Sequence, residues 1–202
     1  SFVNAGHTRN YDSPMEEGCV LTHDDSPTID SDEWTRLTDA RNTYMAVVGS
    51  LLWLANMTFP HLAYPVSQLA RFVGNPGQKH LNAAIRVLIY LSGHSDHVLT
   101  MGPDSVRPLE VYVDSSWLPK FSASGGLFFF YGCLVHWFAK MQKSVSLSSA
   151  EAEYFGAMLA AKDAIWLREL LVDLGLLEPG ATVIWTDSKS AVDLAFDPVA
   201  FK

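Results

Sequence analysis

Residues 148–157 of this chain read SSAEAEYFGA, and they mark the point at which short apolar runs give way to one long helical pattern. Ser148 and Glu151 have the spacing of a capping box, in which a serine and a glutamate three residues later bond to the backbone N–H groups that a helix start leaves free. The pattern continues to about residue 174 and stops at Gly175, a residue that commonly follows a helix. This stretch therefore predicts a long helix in the second half of the chain.

Apolar runs on both sides of that helix have the length and composition of β-strands. Two of them are separated by a tight connection at Gly132-Cys133, which indicates a hairpin. The alternation of strands and helices predicts an α/β fold in which helices flank a mixed sheet. The predicted strands are residues 98–101, 109–113, 125–131, 134–138 and 182–186, and a short helix is predicted at 188–196.

The first half of the chain has a different character. Residues 1–40 are polar, acidic and interrupted by proline and glycine, which predicts an acidic tether with little regular structure. A small helical region follows, with helices predicted at 44–55, 60–73 and 80–91. We therefore predict three segments, namely a tether at 1–40, a helical region at 41–96 and an α/β domain at 97–202.

The net charge of −8 has a local origin. Residues 12–39 contain nine acidic side chains and a single basic one, Arg36, so this segment accounts for the whole of the net charge. The remainder of the chain has thirteen acidic and thirteen basic side chains. Net charge therefore says little about what the second half of the chain binds, although an acidic chain would otherwise argue against a nucleic-acid partner.

Several classes of protein are disfavoured by the composition. No apolar run is long enough to span a bilayer, and the N-terminal residues lack the basic and apolar regions of a signal peptide. Cys19 and Cys133 are far apart and have no partner cysteines, which favours a reducing compartment. These features predict an intracellular protein that is neither secreted nor inserted in a membrane.

Three carboxylates occupy positions from which they can converge. Asp114 follows the apolar run 109–113, Asp187 ends the run 182–186, and Glu153 lies in the first turn of the long helix. Converging carboxylates repel one another unless a cation joins them, and oxygen ligands without cysteine or histidine favour Mg²⁺ or Mn²⁺. Paired ions of this kind cleave phosphodiesters. Each of these residues taken alone is more typical of a cap than of a metal ligand, whereas the ordered set of three is far more specific.

From Tyr44 onward the chain resembles the C-terminal part of copia-type retrotransposon polyproteins, specifically the end of the reverse transcriptase followed by the ribonuclease H domain. The resemblance covers nearly the whole chain and rests on motifs in a conserved order along it. These motifs are residues 44–54 (YMAVVGSLLWL), 59–66 (FPHLAYPV), 113–117 (VDSSW), 136–142 (HWFAKMQ), 147–154 (LSSAEAEY) and 186–191 (TDSKSA).

The resemblance implies a ribonuclease H-like mixed sheet with flanking helices, and a site that holds two Mg²⁺ or Mn²⁺ ions and cleaves the RNA strand of an RNA–DNA hybrid. Asp114 and Asp187 would be metal ligands, with Glu151 or Glu153 as the third. These two glutamates point roughly 200° apart on a helix. We predict Glu153, because it leads a stripe of small residues that can approach the sheet closely, whereas Glu151 is the capping-box partner.

The same resemblance implies further partners. Lys140 and Lys143 would contact the phosphates of the hybrid, although two solvated surface lysines account for them equally well. The upstream reverse transcriptase domain of the same polyprotein would be a second partner. The family places another acidic residue, a strand and a helix after the short helix. Asp193 and Asp197 do not match that residue, so the resemblance implies an incomplete domain.

Two other functions remain open at this point. A catalytically inactive remnant could keep the ribonuclease H fold as a nucleic-acid-binding or scaffold module. A nuclease of the same layered fold, such as an integrase, is a further alternative, but nothing in the chain resembles the zinc-binding segment of that family.

Overall fold

The structure, a computed structural model, describes residues 11–102, 104–117 and 122–196. The chain divides into two units, Ser1–Val98 and Leu99–Lys202. The first unit is helical and the second is a mixed α/β unit.

The helices of the first unit bury one face of α2 (Thr38–Met57). Its residues Tyr44, Val48, Leu51 and Ala55 are spaced three or four positions apart and are all buried. The Tyr44 hydroxyl donates a hydrogen bond to the carbonyl oxygen of Leu69 at 2.8 Å. The predicted helices are confirmed, although the second one begins as a 3-10 turn. The bounds are α1 (Asp32–Arg36), α2 (Thr38–Met57), α3 (Ala63–Ala70) and α4 (Gln78–Gly93), with 3-10 turns at His23–Asp25 and Pro60–Leu62.

The acidic segment before α2 is more ordered than its composition suggests. Leu21 and Leu37 are 4% and 5% exposed and belong to the core of the first unit. The carboxylate of Asp25 lies 3.1 Å from Lys79 Nζ, and the side-chain amide of Asn75 donates to the carbonyl of Pro27 at 2.9 Å. Two buried leucines and these polar contacts attach the acidic segment to the rest of the first unit.

The second unit is built on a four-stranded mixed sheet. Its strands are β1 (Leu109–Ser116), β2 (Ala123–Phe130), β3 (Cys133–Met141) and β4 (Val183–Trp185), and their order in the sheet is β3-β2-β1-β4. Strands β1, β2 and β3 are antiparallel neighbours, and β4 pairs in parallel with β1. The four predicted strands between residues 109 and 186 are confirmed.

The hairpin between β2 and β3 turns one residue earlier than predicted. Its two loop residues are Tyr131 and Gly132, with φ angles of 47° and 84°. Two consecutive positive φ angles define a turn whose twist matches that of the flanking strands. A Cβ on Gly132 would lie 3.0 Å from the backbone of Asp104, so this position has little room for a side chain.

Helix α5 (Ser149–Asp173) packs on the sheet, and the short helix α6 (Lys189–Phe196) follows β4. The buried residues of α5 recur every three or four positions and meet the apolar side chains of β1. Small residues occupy the N-terminal half of this line and leucines the C-terminal half, so the helix approaches the sheet most closely at its start. The buried line is Ala152, Gly156, Ala160, Ala164, Leu167 and Leu171.

The short strand predicted at residues 98–101 is absent, and that prediction is wrong. A strand requires a neighbouring strand for its backbone hydrogen bonds, which local composition cannot supply. At the next residue, Gly102, the backbone N–H and carbonyl bond instead to the thiol of Cys133, each at 3.0 Å.

Candidate metal centre

Asp114, Glu153 and Asp187 come together at one edge of the sheet. One oxygen from each carboxylate lies within 4.8 Å of an oxygen of the other two. Both aspartates are exposed and Glu153 is partly buried. Among the described residues, no other group of three or more histidines, cysteines and acids meets this spacing.

The parallel pairing of β1 with β4 explains why the two aspartates meet. Tyr112 of β1 is paired with Trp185 of β4, and Asp114 and Asp187 each lie two residues further along. Parallel strands run in the same direction, so equal steps from one pair end at the same edge of the sheet. The tryptophan ring reinforces this pairing, because its Nε1 donates to the buried carboxylate of Glu110 at 3.2 Å.

The start of α5 separates the roles of its two glutamates. Glu151 Oε2 accepts a hydrogen bond from the backbone N–H of Leu147 at 2.7 Å, and the Glu151 N–H donates to Ser148 Oγ at 3.2 Å. Ser148 is the N-cap, as the sequence predicted, but the Glu151 carboxylate bonds to the N–H of Leu147 and not to that of Ser148 as in a regular capping box. Glu153 faces the two aspartates instead.

The environment of Glu153 disfavours its ionised form when no cation is bound. Burial, followed by the charges of Asp114 and Asp187, raises the pKa of Glu153 to about 7, and a backbone hydrogen bond from Ser115 opposes the rise. Its Oε2 atom is buried and has no hydrogen-bond partner. A buried oxygen without a partner costs free energy, and a divalent cation would satisfy it.

The donor set fits a hard cation. Three carboxylates supply only oxygen atoms, which Mg²⁺ and Mn²⁺ prefer over the nitrogen and sulfur ligands typical of zinc. The exposed position of the two aspartates allows water or a substrate oxygen to complete the coordination. The residues present can therefore hold Mg²⁺ or Mn²⁺.

The two lysines considered from the sequence lie near the same end of the sheet. Lys140 is in β3 rather than after it, and its Nζ is 3.8 Å from Asp163 and 5.0 Å from the ring centre of Phe138. Lys143 is exposed in the loop after β3. Ala139, the residue before Lys140, pairs with Gly125 of β2, and Gly125 pairs with Asp114 of β1. The backbones of Ala139 and Asp114 are therefore two strand spacings, or about 10 Å, apart.

A buried polar cluster beside the centre was not predicted. It comprises Ser115, Ser124, Gln142 and Ser146, each at most 6% exposed. The available signal was the serines Ser115 and Ser124 beside the predicted apolar strands, but the partners of each side chain lie on different elements.

Comparisons with known proteins agree with the resemblance noted above at the level of the polyprotein. The chain is 38% identical over 160 residues to the "Retrovirus-related Pol polyprotein from transposon TNT 1-94" of Nicotiana tabacum, covering 77% of this chain and 12% of the polyprotein. It is 33% identical over 178 residues to the corresponding polyprotein from transposon RE1 of Arabidopsis thaliana, covering 86% of this chain and again 12% of the relative. The chain thus spans about an eighth of these polyproteins.

A third relative is much shorter. The "Secreted RxLR effector protein 161" of Plasmopara viticola is 35% identical over 128 residues, which are 61% of this chain and 90% of the effector. No protein-family model and no solved structure matches the chain. Among the described residues, no helix combines the length and the apolar character needed to cross a membrane. By its relationship to the transposon proteins, the chain belongs to the family of retrotransposon Pol polyproteins.

Proposed function

We propose that the second unit is a ribonuclease H domain, which hydrolyses the RNA strand of RNA–DNA hybrids during reverse transcription of a copia-type element. The observation that carries this proposal is the convergence of Asp114, Glu153 and Asp187, and it is supported by the buried Oε2 of Glu153, which has no hydrogen-bond partner. Three carboxylates at this spacing are costly unless a cation neutralises them. Divalent cations held by carboxylates are suited to phosphodiester hydrolysis.

Each residue has a defined part in the proposed reaction. Asp114 and Asp187 hold cations at the exposed edge of the sheet, where a substrate phosphate can reach them. Glu153 supplies an oxygen from the buried side. The three carboxylates would hold Mg²⁺ or Mn²⁺ as a pair, and the bound ions would supply charge stabilisation for the attacking and leaving oxygens of the phosphodiester. The ribose 2′-hydroxyl is the group by which such a site distinguishes RNA from DNA.

The sheet order supports the same proposal. Three antiparallel strands followed by a long helix and a parallel strand agree with the ribonuclease H-like arrangement implied by the motifs. The helical unit before it corresponds, in this proposal, to the end of the reverse transcriptase. The upstream reverse transcriptase domain of the same polyprotein would then be a partner of this fragment.

Lys140 and Lys143 are the proposed contacts to the hybrid backbone. Lys140 lies at the edge of the sheet that bears Asp114, and more than half of its side chain is exposed. Contacts of this type need positive charge and read no sequence. We further propose that the protein acts inside the cell, where its two unpaired cysteines would stay reduced.

The proposal is tested with a labelled RNA–DNA hybrid, with Mg²⁺ or Mn²⁺ and without either. Cleavage of the RNA strand that requires the cation and is lost in Asp114→Asn is the expected result. A DNA duplex of the same sequence serves as the substrate control and should remain intact. Hybrid binding without cleavage, in the presence of either cation, would overturn the enzyme assignment and favour the inactive nucleic-acid-binding module.

A further inference from the structure

The polar cluster lies at the junction of the sheet with the first turn of α5. Ser115 Oγ and Ser124 Oγ are 3.0 Å apart, which joins β1 to β2. The Ser146 hydroxyl donates to Gln142 Oε1 at 2.9 Å. Most of the surrounding core of this unit is apolar, so this group of hydrogen-bonded side chains is an exception that calls for a reason.

Gln142 is the residue that connects the cluster. Its Nε2 donates to Ser124 Oγ at 2.9 Å and to the carbonyl oxygen of Ala152 at 2.8 Å. Its backbone N–H donates to the carbonyl of Ser122 at 2.7 Å. One side chain that is 2% exposed thus ties β2, the loop before α5 and the first turn of α5 together.

The cluster reaches the backbone beside two of the three carboxylates. Ala152, whose carbonyl accepts from Gln142, immediately precedes Glu153. Ser115 immediately follows Asp114, and its backbone N–H donates to the carboxylate of Glu153. A displacement of Gln142 would therefore be transmitted to Glu153 through a single peptide unit.

The first turns of α5 are packed closely against the polar cluster. A Cβ on Gly156 would lie 2.1 Å from Ser115 Oγ and 3.2 Å from Ser124 Oγ, so the backbone of α5 is already in contact with the cluster. Fully bonded polar groups in a low-dielectric interior hold a fixed arrangement, because each lost bond leaves an unsatisfied buried group.

We propose that Gln142 is a positioning residue for the metal centre. Its hydrogen bond to the carbonyl of Ala152 fixes the position of the first turn of α5 relative to the sheet, and in that position Glu153 faces Asp114 and Asp187. The inference rests on the proposed function, because it assumes that these carboxylates bind Mg²⁺ or Mn²⁺. Residues that orient metal ligands commonly change metal affinity by about 10- to 100-fold when they are replaced.

The test measures Mn²⁺ affinity by the electron paramagnetic resonance signal of free Mn²⁺. Gln142→Met keeps the length of the side chain and removes its hydrogen bonds. Leu171→Ala is the matched control, because it weakens the packing of the same helix at its distant end. We expect Gln142→Met to weaken Mn²⁺ binding by about tenfold or more. Leu171→Ala should leave Mn²⁺ affinity unchanged although it lowers the melting temperature.

The outcomes separate the inference from the function on which it rests. A folded Gln142→Met variant that binds Mn²⁺ as tightly as the wild type, while Asp114→Asn does not, overturns the positioning role and leaves the metal centre intact. Equal binding by the wild type and Asp114→Asn, or no binding by the wild type, overturns both. If Gln142→Met does not fold, Ser146→Ala replaces it, since it removes only the bond to Gln142 Oε1. Unchanged Mn²⁺ affinity in that variant also overturns the positioning role.

Discussion

At the scale of single residues, the two glutamates at the start of α5 differ in what they can bind. Glu151 is exposed and already accepts the backbone N–H of Leu147. Glu153 is partly buried, faces two carboxylates and has an oxygen without a partner. Two positions on a helix place these identical side chains in different environments, and only one of those environments favours a cation.

This difference predicts opposite effects of the same conservative change. Glu153→Gln should abolish cation-dependent cleavage and weaken Mn²⁺ binding at least tenfold, because it removes a charged ligand. Glu151→Gln should keep Mn²⁺ affinity and lower the free energy of unfolding by about 0.5 kcal/mol, because it weakens a helix cap. Mn²⁺ titration and urea unfolding of both variants give these values. Loss of Mn²⁺ binding in Glu151→Gln alone would reverse the assignment.

The raised pKa of Glu153 predicts a pH dependence of stability in the cation-free protein. Its pKa is about 7 when folded, against an ordinary value of 4.5. Between these values the unfolded chain has released a proton that the folded protein still holds, so the free energy of unfolding falls as pH rises from 4.5 to 7. Above this window the contribution is constant.

Urea unfolding at several pH values, with a chelator present, measures this dependence. Glu153→Gln has no proton to release and should remove this part of the slope. Bound Mg²⁺ should remove it as well, because the cation stabilises the ionised carboxylate. A slope that persists unchanged in Glu153→Gln would assign the dependence to other groups.

At the scale of secondary structure elements, the close approach of α5 to β1 and β2 determines where Glu153 sits. Gly156 permits that approach, because the space for its Cβ is occupied by the hydroxyls of Ser115 and Ser124. Short side chains on both surfaces allow the helix backbone to touch the sheet. The position of the carboxylate is therefore a consequence of how the helix packs along its first turns.

Replacing two helical glycines by alanine separates packing from helix propensity. Gly156→Ala should destabilise the protein by about 1–3 kcal/mol, because the added methyl overpacks the junction. A Cβ added to Gly49 in α2 would have no atom within 4 Å. Gly49→Ala should therefore stabilise the protein by about 0.5–1 kcal/mol, because alanine has the higher helix propensity. Urea unfolding of each variant measures both. A stabilising Gly156→Ala would show that the helix can move away from the sheet at no cost.

At the scale of the whole chain, each unit has a core of its own. The first is helical and includes Leu21 and Leu37 from the acidic segment, while the second lies between α5 and the sheet. The segment that carries the net negative charge is thus part of a folded unit. Its charges lie on the surface of that unit, and its leucines hold it there.

This organisation predicts different effects at two adjacent apolar positions. Leu21→Ala should lower the free energy of unfolding of the first unit by about 2–5 kcal/mol, because it leaves a cavity in the core. Val20→Ala should change it by less than about 0.5 kcal/mol, because Val20 is 64% exposed. Urea unfolding followed by tryptophan fluorescence reports both values. If neither Leu21→Ala nor Val20→Ala changes the free energy of unfolding, the acidic segment is a tether that does not contribute to the core.

Local signals in the sequence determined most of the elements and the candidate ligands. The capping box and Gly175 bounded α5, the apolar runs located β1 to β4, and helical geometry distinguished Glu153 from Glu151. All of these signals lie within a few residues of the feature they predict, because helix caps, strand patterns and turns are local interactions.

Contacts between distant residues decided the rest. The pairing of Tyr112 with Trp185 brings Asp114 level with Asp187 across 73 positions of sequence. Gln142 reaches Ala152 only because the sheet and α5 pack together, and Leu21 belongs to a core whose other members include residues of α2 and α4. Hydrogen bonds and apolar contacts between elements depend on tertiary distances. The sequence therefore named the carboxylates, while the tertiary structure decided that they meet and what holds them in place.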